Sequence, residues 1–262
     1  MFSVMFKRQP PLDEPSAQWI LDVYAWALTE FSADYFYQDA RLVLPTNAFF
    51  PGRSSSPAEM AGRVFEQVAG YAGMQHWNWQ LRDAYSCELE PVPSLPKDLA
   101  QSAGAVDVSM PLLPVVYQPE HIGNPEALIA GFAHSLAQYL GMTAREEPPG
   151  GVQNWPQTTE VLAIFMGFGL MFANSAFVFP PGGCRSCGVQ NQQRQNALAQ
   201  WDCTYALAVF TVLKNISYAD VRPHLKKSLR GYFKRCVADI QARELDMQVL
   251  MALKGSRQRV LQ

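Results

Sequence analysis

The chain has 262 residues, of which 48% are hydrophobic and 17% charged, with a formal net charge of -2. This composition excludes a disordered chain and provides for a full hydrophobic core. The near-balanced charge implies no global electrostatic partner. The balance hides an asymmetry, because residues 214–262 hold 11 Lys/Arg against 4 Asp/Glu and the remainder is correspondingly acidic. The basic C-terminal segment is read as a solvated helical face. Nucleic acid is not favoured, no membrane is implied, and a protein partner is left open. Met1–Pro11 carries Lys7 and Arg8 with no apolar run behind them, so no signal peptide is read. The expected compartment is a bacterial-type cytoplasm, with the five cysteines as thiols.

In chain order, Pro15–Phe31 predicts a helix, with Trp19, Ile20, Val23, Trp26 and Ala27 at helical spacing. Arg41–Leu44 predicts a short strand stopped by Pro45. Ser56-Pro57-Ala58-Glu59 is a capping box that opens a helix to about Gly73. His76–Asp83 alternates as a half-buried strand, and Ala105–Ser109 and Leu113–Tyr117 predict two more. The aromatic group Tyr71, Trp77, Trp79 and Tyr85, with His76, reads as core rather than ligand platform.

Asn124-Pro125-Glu126 opens a helix to about Leu140. Val161–Cys184 runs 24 residues without a charge, long enough to cross a bilayer. Asn174, Ser175 and the prolines at 180 and 181 favour a buried helix over Pro156–Phe177, with Gly167 expected to admit the small face of Ala127 and Gly131. Ala197–Leu213 and two basic segments to about Lys254 complete the helices. Strands followed by helices predict an α+β fold. The chain is read as one domain, 1–262, with a sheet-containing half to about 120 and a helical half beyond it.

The helix from Pro125 to Leu140 carries the candidate site. His134 and Gln138 lie one turn apart and share a face with Gly131 and Ala127. The spacing is that of H-E-x-x-H, in which two histidines hold zinc and the glutamate is general base. Here the three positions are His134, Ser135 and Gln138. The strand at 113–117, the Ala-rich helix around His134, the run Thr159–Gly169, Phe172-Ala173-Asn174 and Tyr205–Ala208 resemble bacterial proteins of unassigned function with a zincin-like "AHELAH" helix. The likeness covers roughly Pro114 to Lys214, with an echo in Leu44–Pro51. It implies a zincin-like fold and a metallopeptidase-like ancestor. His134 matches the first zinc ligand and Glu160 the third, while Ser135 and Gln138 depart from the pattern.

Cys184-Arg185-Ser186-Cys187 is a C-x-x-C in a glycine-rich turn, read as plain loop thiols, as a knuckle placing two thiolates on zinc with Cys203 a candidate third ligand, or as a redox pair. Zinc is thus the only cofactor implied. No Gly-rich phosphate loop and no G-x-S-x-G elbow occurs. The expected function is that of a pseudoenzyme: a non-catalytic binding or scaffold protein with a degenerate zincin-like site. The alternatives are a metal-dependent hydrolase using His134 and Glu160, and an adaptor using the basic C-terminal helices.

Overall fold

A computed structural model describes residues 9–85, 94, 95, 97, 111–175 and 198–254. Helix α1 (Glu14–Glu30) begins where the Asp13 carboxylate accepts from the Ser16 N–H at 3.0 Å. Pro15 costs nothing there, because first-turn N–H groups have no partner within the helix. A turn at Ser32 leads into α2 (Ala33–Gln38). Ser56 starts α3 (Pro57–Tyr71) by accepting from the Glu59 N–H, and the Glu59 carboxylate reaches back to the Ser55 N–H.

Strands β1 (Trp79–Asp83) and β2 (Leu113–Tyr117) pair in parallel, with Trp79 opposite Leu113 and Asp83 opposite Tyr117. A 3-10 turn over Pro119–Gly123 then delivers the chain to α4 (Pro125–Met142), where Asn124 accepts from the Ala127 N–H. Tyr139 donates to the Pro114 carbonyl at 2.7 Å and ties α4 to β2. The remaining helices are α5 (Trp155–Ala163), α6 (Gly169–Ser175), α7 (Gln200–Leu213), α8 (Tyr218–Val221), α9 (Lys227–Ala242) and α10 (Glu244–Ala252). The described residues are therefore mostly helical, with a two-stranded sheet and a helical C-terminal half.

Two expectations fail for one shared reason. Arg41–Leu44 is extended but joins no sheet; its Val43 N–H donates to the Gly167 carbonyl at 2.9 Å. The apolar helix is broken at the same place by a π-helical segment, Ile164–Phe168, between α5 and α6. Gly167 sits there at φ 104°, and a Cβ on it would lie 2.1 Å from the Arg41 carbonyl oxygen. A π-bulge frees a carbonyl from the helical ladder, and here extended backbone takes it up. The partner of Gly167 is thus residues 41–43, not α4; a Cβ on Gly131 would meet nothing within 4 Å. Ala105–Ser109 lies outside the described residues.

Buried side chains form one cluster from Ala17 to Leu250. Phe36 stacks on Phe165 at 4.6 Å between centroids, with Tyr24 and Phe210 edge-on to the pair. Val152–Ser175 is long and apolar enough to cross a membrane, yet its most apolar window is 94% buried within the protein. In the other aromatic group Trp77 is buried and stacks on Trp79, whereas Tyr85 is exposed and donates to the Glu120 carboxylate.

Candidate functional site

Helix α4 presents a narrow polar margin. Ala127, Ala130, Ala133, Leu136 and Ala137 are buried, while Gly131, His134 and Ser135 are half-buried and Gln138 is exposed. At 100° per residue, Gln138 lies 40° and Ser135 lies 100° around the axis from His134. The Ser135 hydroxyl donates to the Gly131 carbonyl at 3.2 Å, one turn back within its own helix. Burial pushes the His134 imidazole down to about 4, so the ring is neutral at pH 7.

Glu160 is only 4% exposed. Its Oε2 accepts from the Leu198 N–H at 2.9 Å, just before α7. Burial lifts its carboxyl to about 7; the Leu198 bond opposes the rise and the Asp202 charge adds to it. Asp202 accepts from the Ala199 N–H at 3.1 Å, and burial raises its carboxyl too. The buried Cys203 thiol is raised chiefly by burial, then by the charges of Glu160 and Asp202. Glu160 therefore belongs to the start of α7.

Helix α4 meets the opposite side of α5. A Cβ on Gly141 would lie 2.8 Å from the Trp155 ring and 3.5 Å from Leu162. Glu160 stands two residues from Leu162, about 200° around the helix. Gln138 is exposed, whereas the Glu160 carboxylate turns to the Leu198 N–H at the start of α7. Among the described residues, no three His, Cys, Asp or Glu side chains are grouped to hold a metal ion.

Comparisons with family models, curated proteins and solved structures return no match to this chain. What its residues can do rests on their chemistry and placement. Cys184 and Cys187 lie outside the described residues. Cys203 is a buried thiol in α7.

Sequence reasoning passed over Asp202, although an acid three residues past a helix start is a capping signal. It also passed over a cavity of about 160 Å³ between α1, α5 and α7, lined by Trp19, Ile20, Gln157, Leu198 and Asp202. The Gln157 Oε1 is buried there and makes no hydrogen bond among the described residues.

Proposed function

We propose that the chain is a non-catalytic binding or scaffold protein of the reducing cytoplasm, built around a degenerate zincin-like helix. The observation that carries this reading is the engagement of Glu160. The residue that would supply the third zinc ligand spends its carboxylate on the Leu198 N–H and on the packing of α7 against α5. The residue at the general-base position, Ser135, closes its hydroxyl on Gly131. Loss of a general base alone removes about 10²–10⁴ of rate. The zincin-like descent is supported by the order of elements: strand β2, a single 3-10 turn, then a small-residue helix bearing His134.

The test is cleavage of a peptide library with and without EDTA, alongside elemental analysis of wild type and His134→Ala. The expected result is no EDTA-sensitive cleavage and the same zinc content in both proteins. EDTA-sensitive cleavage that disappears in His134→Ala overturns the reading. Ser135→Glu combined with Gln138→His probes the descent separately, because two imidazoles one turn apart chelate zinc. A gain in zinc affinity supports the zincin-like ancestor. No gain removes the ancestor and leaves the binding role standing.

A further inference from the structure

The starts of α5 and α7 meet the side of α1 around the cavity of about 160 Å³. Glu160 and Asp202, the two acids at this place, each spend one oxygen on the N–H groups that precede α7. Glu160 Oε2 accepts from Leu198, and Asp202 Oδ2 accepts from Ala199. Neither carboxylate takes a further hydrogen bond, or a Lys, Arg or His partner, among the described residues. The charges acting on them are negative as well: that of Asp202 on Glu160, and that of Asp13 on Asp202.

Buried charges are normally paired, or they give up the charge. Glu160, 4% exposed, moves toward the second course, its carboxyl lifted by burial. Asp202 is only half-buried and lines the cavity. Gln157 lines it too, three residues before Glu160 and on the same side of α5. Its Oε1 is buried without a donor among the described residues. An amide oxygen buried in this way costs free energy until a donor reaches it. Trp19, Ile20 and Leu198 complete the wall with apolar surface. The Trp19 indole is held in place by donating its N–H to the Pro149 carbonyl at 2.9 Å.

We propose that this cavity binds a small alkylammonium compound, whose ammonium donates to Asp202 and Gln157 and whose chain lies against Trp19, Ile20 and Leu198. The role does not depend on the α4 helix. Other occupants answer the wall less well. An anion meets like charge from Asp202 and Glu160. A neutral apolar molecule desolvates the Asp202 carboxylate further and brings Gln157 no donor. A divalent cation wants a cage of several oxygens, and the described residues group no three His, Cys, Asp or Glu side chains for one. The volume is close to the roughly 150 Å³ of a cavity that takes benzene, so the ligand has about six non-hydrogen atoms.

The experiment is a saturation-transfer NMR titration of the full chain at neutral pH with n-pentylamine. The matched probes are n-pentanol, which keeps the chain without the charge, pentanoate and potassium chloride. The amine should saturate with a Kd on the order of 1 mM, as expected for so few atoms. Pentanol should bind at least about ten-fold more weakly, and neither pentanoate nor potassium should displace the amine. Asp202→Asn can still accept the Ala199 N–H through its amide oxygen, so α7 keeps its cap. It should weaken the amine at least about ten-fold and remove most of its advantage over pentanol. Gln157→Leu changes no charge and should weaken the amine about three- to ten-fold. Circular dichroism checks that each variant is folded. Absence of saturable binding at millimolar amine overturns the proposal. So does binding that survives both substitutions, equal binding of pentanol, or displacement by potassium or pentanoate.

Discussion

Replacing Gly167 with alanine asks the break between α5 and α6 to accept a side chain at φ 104°, with its Cβ 2.1 Å from a backbone oxygen. The conformation alone costs a non-glycine residue about 1–3 kcal/mol. Arg41 cannot relieve the clash by rotating a side chain, because the atom in the way is its carbonyl oxygen. The extended segment must lift, and the Val43–Gly167 hydrogen bond, worth about 1 kcal/mol net, goes with it. Leu42 and Val43, both buried, are carried out of register. The expected loss is about 3 kcal/mol, or on the order of 10 °C in Tm for a chain of this size. Gly131→Ala is the matched control. A Cβ there meets nothing within 4 Å, and alanine improves a helix interior by about 1 kcal/mol. The two glycines should therefore move the urea midpoint in opposite directions. A Gly167→Ala variant within about 0.5 kcal/mol of wild type would refute the docking of residues 41–43 on the π-helical segment.

Glu160 and His134 predict opposing pH slopes. The Glu160 carboxyl, near 7 when folded against an ordinary 4.5, makes stability fall as pH rises from 4.5 to 7. His134, near 4 against 6.5, makes it rise from 4 to 6.5. Each contributes about 1.4 kcal/mol per pH unit, so they cancel between about 4.5 and 6.5. Urea titrations of Glu160→Gln should uncover a rising limb there, and His134→Gln a falling one; parallel curves for both variants contradict the two burials. Lys214→Met should cost about 1–3 kcal/mol, because its ammonium donates to the Phe36 and Tyr37 carbonyls at 2.6 and 2.8 Å. An unchanged urea midpoint would remove that role.

The elements legible in the sequence are those whose signals are local. Ser56 with Pro57 and Asn124 with Pro125 satisfy helix-start N–H groups within a few residues, and α3 and α4 begin at those prolines. Leu113–Tyr117 likewise forms β2 over the expected span. Arg41–Leu44 reads as a strand because its residues suit extended backbone, but its partner is a helical break more than a hundred residues away. Helix α2 escaped notice because its six residues carry too little periodicity. The surroundings of Glu160 were out of reach for the same reason. Helical spacing correctly puts His134 and Gln138 on neighbouring positions of α4, but the direction of Glu160 is set by Leu198, 38 residues farther on.

The anchoring of α2 by Lys214 has a consequence for synthesis. A helix of six residues is far too short to persist alone in water. Its last carbonyls wait for an ammonium 178 residues downstream, and Phe36 waits for Phe165 and Phe210. At about 5–20 residues per second, the ribosome needs roughly 9–36 s to make that stretch. Until Phe165 and then Phe210 are made, Phe36 has only Tyr24 and its neighbour Tyr37 of its ring partners to pack on. Chains released before Lys214 should be strong clients of holding chaperones, and the full chain much weaker ones.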